Sequence, residues 1–282
     1  MRIVSTIKEL AQLLSECTKS KSLGLIPTMG ALHTGHIALV KKSIDENDLS
    51  ICSIFVNPTQ FNNPSDLEKY PNPLEKDLFL LEQVGCDFVF TPTKEEVYPE
   101  GFVSKDFVFG TLDKGMEGAN RPGHFKGVAM VVSRLFELIK PQKAYFGEKD
   151  FQQLAIIQSM VKQAPFPVEI VPCSIVREAS GLAMSSRNMR LNKLQLTAAP
   201  RVYQRLFKAS KMCSSHSIFE IKKWLKNEFK NDVDLDLEYF EISNPTTLQA
   251  TTNWSECDRH IACIAVFAGE IRLIDNIMLE IN

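Results

Sequence analysis

Apolar positions recur along the chain in two rhythms. Thr6-Ile7-Lys8-Glu9 has the spacing of a capping box, and Ile7, Leu10 and Leu14 follow at helical intervals. The short apolar run Leu23–Thr28 predicts a buried strand ending in a turn, and Ile37, Val40 and Ile44 predict the next helix. Ile51–Val56 reads as a strand. Leu74–Val84 reads as a helix stopped by Gly85, and Asp87–Phe90 as a strand. Beyond a glycine-rich stretch the rhythm resumes. It gives a helix over Val128–Ile139, a strand over Ala144–Phe146, a helix over Phe151–Val161 and a strand over Val168–Val171. This alternation predicts an α/β, Rossmann-like domain in which a parallel sheet is covered on both faces. Ligands of such sheets bind beyond the carboxyl ends of the strands, so the loops after strands are where chemistry is expected.

After about Val176 the pattern changes. Helical stretches near Lys193–Cys213 and Ile218–Phe229 precede three strand-like runs, Leu235–Ile242, His260–Phe267 and Ile271–Met278. We therefore expect a first domain over residues 1–176. A smaller α+β C-terminal domain over 177–282 is expected to close over the nucleotide site.

Composition narrows the function classes. With 32 basic and 34 acidic side chains the net charge is -2, so no basic excess points to nucleic acid and no acidic tract to a disordered tail. No apolar run approaches the roughly 20 residues that span a bilayer, and the N-terminus becomes charged too early for a signal peptide. Seven scattered cysteines argue against a disulfide framework and for a reducing cytoplasm. Cys257, His260 and Cys263 have a spacing worth weighing as a metal site. On a strand, however, three-residue spacing points side chains to opposite faces, which favours core cysteine and strand histidine.

The sharpest local signal is Pro27-Thr28-Met29-Gly30-Ala31-Leu32-His33-Thr34-Gly35-His36, which joins the first buried strand to the following helix. Free N–H groups and the helix dipole there favour an anion, and two histidines in this block can donate hydrogen bonds to phosphate. Asn57 and Gln60, in Phe55-Val56-Asn57-Pro58-Thr59-Gln60-Phe61, leave the next strand with two amides that suit hydroxyl or carboxylate groups. Gly147-Glu148-Lys149-Asp150 again joins a strand to a helix, and Lys149 can neutralise phosphate. Met184-Ser185-Ser186-Arg187 sets two hydroxyls beside a guanidinium, which suits a triphosphate. Between these blocks, Gly110–Gly127 holds five glycines with Lys114, Arg121 and Lys126, and reads as a lid that orders over a bound intermediate.

The strand–HxGH–helix arrangement resembles the HxGH nucleotidyltransferase superfamily, which also includes class I aminoacyl-tRNA synthetases. Within it, the string Pro27–His36 is similar to the pantothenate synthetase family. So are the blocks around Asn57–Gln60, Gly147–Gln153, Met184–Arg187, Glu117–Phe125 and Arg272–Asn276, together covering nearly the whole chain. The 184–187 block looks like a counterpart of the synthetase KMSKS loop, with Arg187 in the place of a lysine. The resemblance implies a two-domain homodimer that uses ATP with Mg²⁺ to join pantoate to β-alanine through an acyl-adenylate. It implies an ATP site lined by Met29, Gly30, Ala31, Leu32, His33, Thr34, Gly35, His36, Gly147, Glu148, Lys149, Asp150, Val176, Met184, Ser185, Ser186 and Arg187. Gln60 and Gln153 are expected to hold pantoate, with Gln60 also near β-alanine. His36 matches the family's proton donor; His33, Lys149 and Arg187 are expected to add positive field. Asp77 matches an acidic position near nucleotide and metal, although its predecessor, often acidic, is Lys76 here. One rival reading is a nucleotidyltransferase acting on a phosphorylated metabolite, for which Asn57 and Gln60 stand where cations would be expected. Another is a silent nucleotide-binding module, which would be expected to lose some of these charged groups.

Overall fold

The computed structural model describes residues 1–280. Among these residues the strands are β1 (Arg2–Val4), β2 (Leu23–Thr28), β3 (Leu49–Ile54), β4 (Phe88–Phe90), β5 (Lys143–Gly147), β6 (Glu169–Cys173), β7 (Asp236–Ser243), β8 (His260–Ala268) and β9 (Ile271–Leu279). The first six form one sheet in the order β1-β4-β3-β2-β5-β6, with every pairing parallel. The last three form an antiparallel sheet in the order β7-β8-β9. The chain divides into two compact units. The first comprises Met1–Phe109, Arg121–Glu148 and Gln153–Ser174. The second comprises Gly110–Asn120, Lys149–Gln152 and the chain from Ile175 onward.

In the first unit, β2 and β3 read as unbroken apolar runs because a parallel sheet is covered on both faces. Ile26, Leu32, Cys52, Ile54, Val89, Tyr145 and Val171 pack with Leu39, Val40 and Leu81 from the helices Thr34–Glu46 and Leu74–Val84. The order reverses at β2, which has β3 on one side and β5 on the other. Thus the loops leaving β2 and β5 start from neighbouring strands at the point where doubly wound sheets open a crevice.

In the second unit, β7–β9 pack on Pro200–Met212 and Ile218–Lys230 through Val202, Leu206, Ile221, Leu225, Ile242, Ala262, Ile264 and Leu273. The helix expected over Lys193–Cys213 is two helices, Lys193–Ala198 and Pro200–Met212. Pro200 has no N–H to continue the first and is suited to start the second. Among the described residues no helix is long and apolar enough to cross a membrane.

Part of the glycine-rich stretch is fastened. Met116–Asn120 is helical, and Gln152 fastens it: Nε2 donates to the Leu112 and Gly115 carbonyls at 2.7 and 3.0 Å, and Oε1 accepts from the Glu117 N–H at 2.9 Å. The Glu117 carboxylate is gripped by both terminal nitrogens of Arg272 at 2.7 Å and by the Tyr239 hydroxyl at 2.8 Å. A Cβ on Gly118 would stand 2.1 Å from the Asp113 carbonyl oxygen, so this glycine serves close packing.

Candidate functional site

The loop after β2 is shaped before the helix begins. Gly30 and Ala31 take left-handed φ values of 79° and 51°. For Ala31 that conformation costs about 1–2 kcal/mol, so something must hold it. Thr28 accepts from the Gly30 N–H at 3.2 Å while donating to the Ser53 carbonyl at 2.7 Å. The Asp77 carboxylate, in the first turn of Leu74–Val84, takes the next two amides: Ala31 N–H to Oδ2 and Leu32 N–H to Oδ1, both at 2.7 Å. Asp77 is fully buried; burial pushes its carboxyl up, while those two amides and Lys76 pull it back.

His33 then caps the helix Thr34–Glu46, its Nδ1 accepting from the Gly35 N–H at 3.2 Å. A ring nitrogen that accepts carries no proton, so the His33 hydrogen sits on Nε2, a donor suited to phosphate. The His36 ring lies beside it, with centroids 4.0 Å apart. This helix start therefore sets two imidazoles where the dipole already favours an anion.

After β3, Asn57 and Gln60 divide their work in a way the sequence does not reveal. Asn57 is almost fully buried. Its Nδ2 donates to Gln60 Oε1 and to the Gly127 carbonyl, both at 3.2 Å; its Oδ1 accepts from the Tyr98 hydroxyl and the Thr59 hydroxyl, both at 3.0 Å. Asn57 is thus committed inside the protein and fixes the sense of the Gln60 amide. Gln60 Nε2 is turned toward Met29, 3.0 Å from its Sδ. His124 Nδ1 pins the Gln60 carbonyl at 2.8 Å. A Cβ at Gly127 would lie 2.4 Å from the Thr59 carbonyl oxygen, so only glycine lets this helix approach. Tyr98 and His124 escape sequence reasoning because each acts from a distant segment. Gln153 stands partly exposed in the first turn of Phe151–Gln163.

The second unit presents its own cluster. Val176 and Met184 face each other across a tight hairpin, the Met184 N–H donating to the Val176 carbonyl at 2.9 Å. Gly181 turns it with φ 91°, and a Cβ there would lie 2.7 Å from the Tyr203 ring. Arg177 stacks on Tyr203 at 3.7 Å and forks onto Asp275 at 2.6 and 3.0 Å. Ser185 caps the short turn Ser186–Arg190, accepting from the Arg187 N–H at 3.3 Å. Lys149 is less exposed than a loop lysine suggests. Its side chain is 17% accessible, with Nζ 3.6 Å from Asp150 Oδ2. Its carbonyl accepts from Asn276 Nδ2 at 2.9 Å. One stretch of β9, Asp275-Asn276, therefore anchors both the hairpin and the Lys149 turn. Cys257 Sγ lies 3.4 Å from His260 Nε2. Among the described residues no three His, Cys, Asp or Glu side chains gather as a metal site.

A family model described as pantoate-beta-alanine ligase matches residues 2–278. The chain belongs to the pantoate–β-alanine ligase family. Pantothenate synthetase of Phocaeicola vulgatus is 52% identical over 98% of this chain and 99% of its own length. That of Bacteroides fragilis is 50% identical over 98% of each. Among solved structures, pantothenate synthetase from Thermus thermophilus superposes with TM-score 0.92 at 42% identity, over 98% of this chain and 99% of that one. Pantoate-beta-alanine ligase from Francisella tularensis, complexed with beta-gamma ATP and beta-alanine, gives 0.83 at 35% identity, over 99% and 97%. The ligase match runs through both units.

Proposed function

We propose that this chain condenses pantoate with β-alanine, using ATP, through pantoyl-adenylate, with AMP and pyrophosphate as the other products. The observation that carries this is the HxGH loop. Its backbone is pinned, its two imidazoles stand at a helix start, and a fixed amide donor, Gln60, faces the same loop through Met29. The pantoate carboxylate attacks the α-phosphorus of ATP and pyrophosphate departs. The β-alanine amine then attacks the activated carbonyl and AMP departs. Both steps depend on positioning and charge stabilisation, and no side-chain nucleophile is required.

In this reading His33 and His36 hydrogen-bond phosphate oxygens as charge moves, and Lys149 and Arg187 on the second unit bind the triphosphate. Gly147, Glu148, Asp150, Val176 and Met184–Ser186 shape the nucleotide contacts. Mg²⁺ enters with ATP as part of the substrate, bound by phosphate oxygens, as is usual for this small, tightly hydrated ion. Asp77 does not fit a resident ligand for it, because the carboxylate is fully buried and each oxygen holds a loop amide.

Gln60 and Gln153 hold pantoate. Because Asn57 holds the Gln60 Oε1 and leaves Nε2 on the Met29 side, Gln60 is a donor for an oxygen of pantoate. Gln60→Ala is expected to weaken pantoate binding by about 1–3 kcal/mol, the range for stranding a hydrogen-bond partner. ATP binding should change by less. Isothermal titration that finds pantoate affinity unchanged removes Gln60 from this role.

The reaction order is tested by isotope. Oxygen-18 in the pantoate carboxylate is expected in AMP, since one carboxylate oxygen bridges to phosphorus and leaves with it. Pantoate-dependent ATP–pyrophosphate exchange should proceed without β-alanine. Label in inorganic phosphate, with ADP as the nucleotide product, would establish acyl-phosphate chemistry instead.

A further inference from the structure

We propose that Asp77 is a positioning residue that sets the HxGH loop into its binding shape, acting on the backbone rather than on a metal ion. This rests on the adenylation reading for its effect on catalysis, but the clamp itself stands on geometry. The carboxylate reaches from a different element, 46 and 45 residues along the chain, and takes two consecutive amides with one oxygen each at 2.7 Å. Those amides are the ones that follow Gly30 and lead into His33, across the two left-handed residues. A Cβ on Gly30 would come within 3.0 Å of Asp77 Oδ2 and 3.1 Å of Ile54 Cγ2, so the loop is drawn tightly onto both neighbours. Two parallel N–H groups aimed at one carboxylate specify direction as well as distance. The side chain that follows, His33, caps the helix and so inherits the orientation set one residue earlier.

Asparagine is nearly the same size as aspartate. At position 77 its oxygen can keep one of the two amides while its NH₂ opposes the other. Asp77→Asn is therefore expected to fold, with a thermal midpoint lowered by a few degrees because one buried N–H then faces another donor. Hydrogen exchange should accelerate at Ala31 and Leu32 in the protein without nucleotide or metal. In pantoate-dependent pyrophosphate exchange, kcat should fall by about 100-fold, the scale of an ångström-sized misplacement of catalytic groups. The Mg²⁺ concentration for half-maximal rate should stay within about twofold of the parent, far below the roughly tenfold shift that loss of a ~1.4 kcal/mol ligand contact gives. Asp77→Ala, losing both bonds, should show the larger exchange effect. If it fails to fold, the asparagine variant alone decides.

Unchanged exchange at Ala31 and Leu32 would overturn the clamp. So would a variant whose rate is restored by raising Mg²⁺, since that is the mark of a lost metal ligand. If the parent protein shows no pantoate-dependent exchange, the adenylation reading fails, while amide exchange still decides the clamp.

Discussion

Replacing Lys149 with alanine is expected to slow pantoate-dependent pyrophosphate exchange by about 100- to 1,000-fold, the range for losing one preorganised electrostatic donor. The fold should survive. The Lys149 carbonyl, not its side chain, carries the bond to Asn276, and Nζ makes a loose 3.6 Å approach to Asp150, whose side chain is 45% accessible. The charge is lost while the backbone that displays it stays in place. The measurement is exchange rate together with a thermal unfolding scan. Near-normal exchange in a folded variant would remove Lys149 from the phosphate chemistry. A large fall in midpoint would show that the side chain supports structure instead.

The second large effect concerns stability. Asp275→Ala should destabilise the protein by about 3–5 kcal/mol, the cost of stranding one member of a buried ion pair. Asp275 is 4% accessible and Arg177 19%. Burial pushes the Asp275 carboxyl up, and Arg177 opposes that shift. Without the carboxylate, Arg177 keeps its stack on Tyr203 and a 3.2 Å bond to the Gly181 carbonyl, but loses the counter-charge of Asp275. Urea unfolding should show an earlier midpoint with an unchanged slope. Replacing both partners with leucine should recover much of the loss, because no charge is then left buried. A single-variant loss below about 1 kcal/mol, the range of exposed pairs, would show that solvent already reaches this one.

Much of the sheet is legible in the sequence because burial leaves a strong imprint on parallel strands. Leu23–Thr28 is a strand from end to end as expected, since a strand covered on both faces must be apolar throughout. β1 is not legible, because three residues at an edge carry no periodicity, and its pairing joins Arg2 to the distant Phe88. The Lys193–Cys213 region misleads because its apolar spacing continues across Pro200, whereas the backbone hydrogen bonds do not. Glycines carry more than one meaning. Their density over 110–127 suggests mobility, but Gly118 and Gly127 are there because backbone approaches too closely for a side chain.

At the site, the residues following strands are legible from fold logic and resemblance, while their supports are not. Asp77, Tyr98 and His124 each act across more than about forty residues, and nothing in their local sequence marks the partner. Asn57 is visible, but its five internal bonds can be counted only in three dimensions, and they make it the orienter of Gln60 rather than a second ligand.

Because β9 follows both of the segments it anchors, its role orders events during synthesis of the chain. Arg177 meets its carboxylate 98 residues later, and the Lys149 carbonyl meets its amide 127 residues later. A nascent polypeptide that already displays Lys149 and Arg177 still lacks the strand that holds the Lys149 carbonyl and the Arg177 side chain. The parallel sheet can form on the ribosome well before translation reaches Asp275, but the Lys149 turn and the Arg177 hairpin cannot be fastened until it has. Stalled chains ending short of that strand should therefore show fast hydrogen exchange at the Lys149 turn and the Val176–Met184 hairpin even with the parallel sheet formed.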